Sequence, residues 1–391
     1  MPQATEPAVL PGAVATIIGG TLRRARGRVT VAFAVAGVLC GVVAAGVPAL
    51  AHKLDLSAGQ VGAVLFAWGL AAFASMQSLR LLLPVAGHAL VLRAAGPACA
   101  VGAAAMAVAP GFGPVLAAAT GFGVAFGALE AAVNAQGAAV ERAYGRPLLN
   151  GMHAAWAVGA GAAGVFVAVC THLAVSYTVT VAAVAVLVLP LTLLAGPPSQ
   201  DMPLPARRRG SLPPAVYLLS VLAFAAFMVE GTFADWCGLL LRDGAGASAT
   251  VAALGHPLLQ AGILTGRAVA DRLRARAGAA AVIVWCGTAV AVACALLVVL
   301  PAVPVVLAAV YVTGVAVSPV LPLVFSLAGT ARPDRAEAAI AQVGAAGYAG
   351  LLAGPAVLGA VGGIVPLPAA IGGLAVVLGI AIALLGRRAG R

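Results

Sequence analysis

Of the 391 residues, 63% are hydrophobic and only 8% are charged, against roughly one quarter charged in a soluble globular domain. A water-soluble core of this size cannot hide so much apolar surface, so a polytopic membrane protein is expected. The formal charge of +11 and pI near 10.3 do not signal nucleic-acid binding, because the basic residues stand in short dispersed clusters and aromatics make up 5%, leaving no stacking groove. Cys40, Cys99, Cys170, Cys237, Cys286 and Cys294 fall within or at the ends of apolar stretches without CxxC spacing. They read as small packing residues, and neither a metal nor another cofactor is expected.

A hydrocarbon core about 30 Å thick needs about 20 helical residues, all satisfying their own backbone hydrogen bonds. Residues 1–20 carry no basic leader, and Arg23, Arg24, Arg26 and Arg28 directly precede the first long apolar stretch, 30–50. That stretch is expected to be a retained first span. The second, 61–86, holds Gln77 and Arg80 three residues apart; an arginine there must snorkel or find an acid. The third and fourth, 95–111 and 113–134, are divided by Pro110, Gly111 and Pro114, which suit a short outside turn better than an unbroken helix.

Glu130 and Asn134 in the fourth span are four residues apart and share a helix face. They suit either a polar cargo or an interhelical clamp, and Glu130 is a candidate partner for Arg80. The fifth span, 148–170, opens with Asn150, His153 and Trp156. His153 and Trp156 are neighbours at i, i+3, able to stack on and hydrogen-bond a ring-shaped solute or to form a gate near the helix end. The run GAGAAG at 159–164 allows close helix contact.

After the sixth span, 173–195, comes the longest interior gap, 196–212, containing GPPSQDMPLPARRRG. Its Pro and Arg content reads as a linker. The seventh span, 213–236, carries Glu230, with Asp235 and Trp236 at its end. The two acids, five residues apart, lie about 140° apart around a helix. A proton carrier, a structural ion pair and a substrate contact all remain open for Glu230, while Asp235 is closer to the interface. The eighth span, 248–269, holds Gln260; the ninth and tenth, 279–299 and 302–326, are separated by Pro301 and Pro304; the eleventh, 337–360, carries Gln342 and Tyr348; the twelfth is 366–386.

With twelve spans, 19 of the 22 Lys and Arg residues fall on one side, in the N-terminal arm, alternate loops and the C-terminal tail. The opposite loops hold only Lys53 and Arg242. The positive-inside rule then places both termini in the cytoplasm of a cell inner (plasma) membrane. The expected fold is all-α, a polytopic membrane protein with twelve transmembrane helices in two six-helix halves. It divides into an N-terminal arm (1–29), a first half (30–195), a linker (196–212), a second half (213–386) and a tail (387–391). Solutes of such proteins bind between structural repeats near mid-membrane.

The stretch GRAVADRLRAR at 266–276 resembles the second-half copy of the cytoplasmic loop motif of the major facilitator superfamily, a Gly followed by an acid and basic residues. The resemblance implies a latch between neighbouring helix ends made by Gly266, Arg267, Asp271 and Arg272. In the corresponding GHALVLR at 87–93, Gly87 and Arg93 align with Gly266 and Arg272, but Leu92 replaces the acid, so the first-half latch is expected to be degenerate. NAQGAAVERAYGRPLLNGMHAAWAVGAGAAG at 134–164, EGTFADWCGLLLRD at 230–243 and GYAGLLAGP at 347–355 are similar to the bacterial branch of that superfamily that includes the inner-membrane protein YbjJ and is distantly similar to fucose permeases.

The function expected is secondary transport of a small solute by alternating access, with sugars or related polar metabolites permitted by the resemblance. Export of drug-like compounds on the same fold and a transmembrane channel are the alternatives; no filter-like repeat favours the channel. No GxxxxGK[ST] loop is present, so a proton or other ion gradient is the expected energy source. The five histidines are isolated and no HExxH occurs, so no catalysis is expected. The partners expected are a small-molecule substrate, protons and the lipid bilayer, with no nucleic acid, for a chain working as a monomer.

Overall fold

The computed structural model describes residues 12–86, 88–145, 148–194, 212–331 and 335–389; the side chains of 12–21, 80–90, 92, 193–194 and 337 are likewise outside the description. The described residues form helices and no strands. Nine helical stretches among them are long and apolar enough to cross a membrane, and two shorter apolar helices, Arg93–Val108 and Tyr177–Thr192, accompany them.

The elements in chain order are α1 (Gly12–Lys53), α2 (Ala58–Ala86), α3 (His88–Val108), α4 (Phe112–Tyr144), α5 (Leu149–His172), α6 (Tyr177–Leu194), α7 (Pro214–Leu239), α8 (Ala249–Ala253), α9 (Gly255–Val299), α10 (Val303–Val317), α11 (Val320–Ala331), α12 (Ala336–Val361) and α13 (Leu367–Gly386). Several outrun the predicted spans. The first starts at Gly12 instead of 30, because arginine is a good helix former and Arg23, Arg24, Arg26 and Arg28 all lie on exposed positions. The fourth runs ten residues past the expected end at 134, to Tyr144, and closes on Gly145 in the left-handed conformation with φ 63°.

One of three local breaks matches the gap expected between the eighth and ninth spans, and two escaped the hydropathy pattern. The 45-residue α9 is interrupted at Gly278, whose φ of 80° and ψ of 162° interrupt the helical geometry. At about 1.5 Å per residue the element would otherwise be far longer than a bilayer core. The predicted tenth span is divided at Ser318 and Pro319. Pro319 has no N–H for the preceding turn, and the Ser318 hydroxyl donates to the Val315 carbonyl at 3.4 Å. Beyond α7 the chain widens into one π turn, Leu240–Gly244, closed by Ala247 N–H donating to Leu241 O at 2.8 Å.

Glycine sets how the helices pack. In an apolar solvent no hydrophobic force drives helices together, so backbone proximity and dispersion must. A Cβ on Gly41 would lie 2.3 Å from Ala160 O, one on Gly127 2.1 Å from Ala72 O, one on Gly350 2.1 Å from Phe224 O, and one on Gly262 2.4 Å from Tyr311 O. These seams pair α1 with α5, α2 with α4, α7 with α12, and the first part of α9 with α10, each pair running parallel. The antiparallel pair α3·α6 has its counterpart in the second part of α9 with α13, seamed by Gly287 and Gly379. The pairing of α1–α6 is therefore repeated among the later helices.

The two helix groups meet along a second set of seams. Gly62 on α2 faces Gly359 on α12, Gly69 faces Leu352, Gly161 and Gly164 on α5 face Gln260 and Pro257 on α9, and Gly238 on α7 faces Pro48 on α1. All lie at mid-depth or toward the end where α1 finishes and α2 begins, called here the far end. The opposite end, carrying Arg142, Arg276 and the start of α5, is called the near end.

Candidate functional site

Two turns nearer than the Gly164–Pro257 contact on α5, and two turns nearer than the Gly238–Pro48 contact on α7, the side chains turn polar: Trp156 and Glu230 occupy these levels. The predicted candidates fall into four sets.

Glu130 on α4, Asn134 on α4 and Trp156 on α5 form one cluster, partly buried. Trp156 Nε1 donates to Glu130 Oε1 at 2.8 Å, and Asn134 Nδ2 donates to Glu130 O at 2.9 Å and to Oε2 at 3.4 Å. A charge-assisted bond of this kind is worth about 1.5–3 kcal/mol and locks the indole plane. Glu130 thus has partners other than the one anticipated from sequence: the Arg80 side chain lies outside the described residues. Trp156 is held by Gly37 and Gly41 on α1, which let that backbone come against α5. His153, its predicted neighbour, instead packs edge-on against Phe33, with ring centroids 5.0 Å apart.

Glu230 and Asp235 on α7 are partly buried, with no hydrogen bond to either carboxylate among the described residues. The Cys40 thiol on α1 lies within electrostatic range of Asp235 and Glu130, which places one acid from each helix group around the same α1 position. Arg267 on α9 lies within range of both Glu230 and His153. Assigned to a latch from its loop motif, this exposed arginine is thus also near one ionisable group of each helix group.

On α12, Tyr348 stacks on Phe227 at 5.8 Å and meets Phe73 of α2 at 6.5 Å. Tyr348 therefore joins the two groups at mid-depth. Gln342, six residues nearer, is exposed, as is Asn150 at the start of α5, while Gln77 is half-buried. Gly266 is buried against α10, where a Cβ would lie 2.2 Å from Ser318 Oγ and from Val315 O. Asp271 and Arg272 are exposed, and Arg274 Nη2 donates to Ser326 Oγ at 2.9 Å. The counterpart positions Gly87 and Leu92 lie outside the described side chains.

Sequence reading missed His256. It is 2% exposed, its Nδ1 lies 3.2 Å from Ala234 O, and its Nε2 lies 3.3 Å from Gln260 Nε2. The carbonyl requires an Nδ1–H donor, so the neutral tautomer has Nε2 accepting from Gln260. The i, i+4 spacing of two polar residues in an apolar span was the signal available. Among the described residues no group of three His, Cys, Asp or Glu could hold a metal ion.

No family model matches the chain. It is 32% identical over 341 residues to the transporter y4wD of Sinorhizobium fredii, covering 85% of this chain and 89% of that one. It is 29% identical over 264 residues to an MFS-type transporter of Yersinia pestis, covering 66% and 68%. Among solved structures it resembles a point mutant of the nucleoside transporter NupG, with TM-score 0.74 at 13% identity over 92% of this chain and 99% of that one. It also resembles a bacterial homologue of the human lysosomal transporter Spinster in an inward-facing, unoccupied conformation, with TM-score 0.65 at 14% identity over 94% and 93%. At those identities the solved structures speak for the fold alone. The relatives, the apolar helices and the repeated helix pairing converge on one assignment: the chain is a multi-pass membrane protein and belongs to the major facilitator superfamily of transporters.

Proposed function

We propose that the protein is a secondary transporter with twelve spans in two six-helix halves, moving a small polar solute by alternating access. The twelve follow when α9 is read as two crossings broken at Gly278 and the two shorter apolar helices are counted. The halves are residues 30–195 and 213–386, joined by the 196–212 segment, with an N-terminal arm and a tail. The near end, rich in exposed arginine, is cytoplasmic under the positive-inside rule, as in a bacterial inner membrane, and the protein works as a monomer.

The observation that carries this reading is the placement of the seams between the groups. Close backbone contact lies at mid-depth and at the far end, and the polar side chains of both groups lie on the near side of it. This is the arrangement of a transporter open to the cytoplasm. Glu130, Asn134 and Trp156 offer a carboxylate, an amide and an indole face from one half, with Gln342 and Tyr348 opposite. A solute bearing hydroxyl or amide groups on a ring fits that set, as a sugar or related metabolite would. Glu230 and Asp235, whose carboxylates have no hydrogen bond among the described residues, supply the proton path, taking up a proton while open to one side and releasing it to the other. Asp271 and Arg272 serve as the cytoplasmic latch when that side closes.

The test is uptake into proteoliposomes of a panel of labelled sugars, nucleosides and cationic drugs, with and without a proton ionophore. Accumulation of a polar ring solute that collapses with the ionophore supports the reading. Ion conductance in single-channel recordings, or accumulation of the cationic drugs alone, rejects it.

A further inference from the structure

Only two basic residues were expected at the far end, and the structure commits both to main-chain carbonyls. Lys53 Nζ donates to Ala107 O at 2.5 Å and to Thr178 Oγ1 at 3.3 Å, and Thr178 Oγ1 donates to the same carbonyl at 2.8 Å. Ala107 is in the last turn of α3, where carbonyls lack intrahelical donors, so a cation there completes a helix end. All three residues belong to α1, α3 and α6, within one helix group.

Arg242 differs because one of its bonds crosses between the groups. It sits in the π turn after α7, and its Nη1 donates to the carbonyl of Pro48 on α1. Its Nε and Nη2 donate to Asp243 Oδ1 and Oδ2 at 2.5 and 2.9 Å, a bidentate pairing that fixes the guanidinium plane. Three features bring it there. Gly238, one turn earlier, lets α7 close on the Pro48 ring, since a Cβ would fall 2.5 Å from Pro48 Cγ. The π turn widens the helix and swings Arg242 aside from the α7 axis. A carbonyl has a second lone pair, so Pro48 O can accept from Arg242 as well as within α1.

We propose that Arg242 is a clasp between the halves, a positioning residue that holds the far side closed while the near side is open, with Asp243 orienting its fork. The clasp must release before the far side opens, so it sets the balance between the two forms. The proposal rests on the alternating-access reading. It does not concern the cargo.

The experiment measures the distance between spin labels at Leu173→Cys and Ile364→Cys, two exposed far-end positions on different halves, in a cysteine-free background in lipid nanodiscs without added solute. Arg242→Ala should shift the ratio of long-distance to short-distance populations by about tenfold toward the long, the factor one charge-assisted hydrogen bond carries. Asp243→Asn should shift it in the same direction by less. Lys53→Ala, whose strap lies within one half, should leave the distribution unchanged while lowering the thermal midpoint. Gly62→Leu wedges the α2–α12 seam, where a Cβ already falls 2.3 Å from Gly359 Cα, and provides the open reference. If Gly62→Leu lengthens the distance and Arg242→Ala does not, the clasp is overturned and alternating access stands. If neither lengthens it, the moving-halves reading falls and takes the clasp with it.

Discussion

Trp156 and Glu130 lie 26 residues apart, and their bond joins two helices through one N–H and one carboxylate oxygen. The indole face is left for a solute while the nitrogen is fixed. Trp156→Phe keeps most of the ring and removes the donor, leaving a partly buried carboxylate short of one partner. Solute uptake in that variant should fall about ten- to hundredfold, the equivalent of roughly 1.5–3 kcal/mol, measured on protein that still elutes as a monodisperse peak. Glu130→Gln retains an acceptor for the indole and tests charge alone: a solute held by hydrogen bonds only would keep its apparent affinity within about threefold, and one that needs the carboxylate would lose more than about tenfold. The sequence revealed Glu130 and Asn134 as a pair because four residues is a helical spacing. It could not reveal Trp156 as the acid's partner, since a contact between helices depends on how their axes are placed, which local periodicity does not encode.

At the scale of the element, the all-helical character and the order of the apolar stretches were legible because a bilayer imposes a minimum length on each. The ends were less so. Helices continue beyond the hydrocarbon wherever residues such as Arg23–Arg28 or Glu141 favour helix, and hydropathy averages do not register this. The break at Gly278 falls in the charged gap already expected between 269 and 279, whereas those at Pro319 and in the π turn after α7 are local hydrogen-bonding events that a hydropathy average does not register. The seams carry the sharper prediction. Gly41→Val would push a branched side chain into Ala160, where a Cβ alone falls 2.3 Å from the carbonyl oxygen. Backbone cannot yield as a flexible side chain does, so the cost should be at least the roughly 1–3 kcal/mol of an overpacked core. Size-exclusion profiles in mild detergent should show lost monodispersity. Gly121→Val, with nothing within 4 Å of its Cβ position, should behave as wild type.

For the molecule as a whole, the segregation of arginine to one end was visible before any coordinate, and the repeated pairing of helices gives that segregation a frame. The topology it implies can be checked with a membrane-impermeant maleimide. Cysteine placed at Ile364, exposed at the far end, should react in intact cells; cysteine placed at Arg276, exposed at the near end, should react only after permeabilisation. The reverse pattern would invert the orientation and with it the side to which the proposed transporter is open. The relation of the two helix groups was the least legible part, because among the residues that join them are glycines and an arginine whose significance depends on a carbonyl nearly two hundred positions away.

The straps made by Lys53 and Arg242 leave one more mark. Besides these two cations, the far face carries Asp55 and Asp243, so its formal charges cancel, and both cations already point at carbonyls. A mouth of this kind exerts almost no pull on an approaching ion. Capture from that side should proceed at a rate that changes little between low and high ionic strength, whereas arrival from the arginine-rich side should slow or quicken with salt according to the sign of the solute.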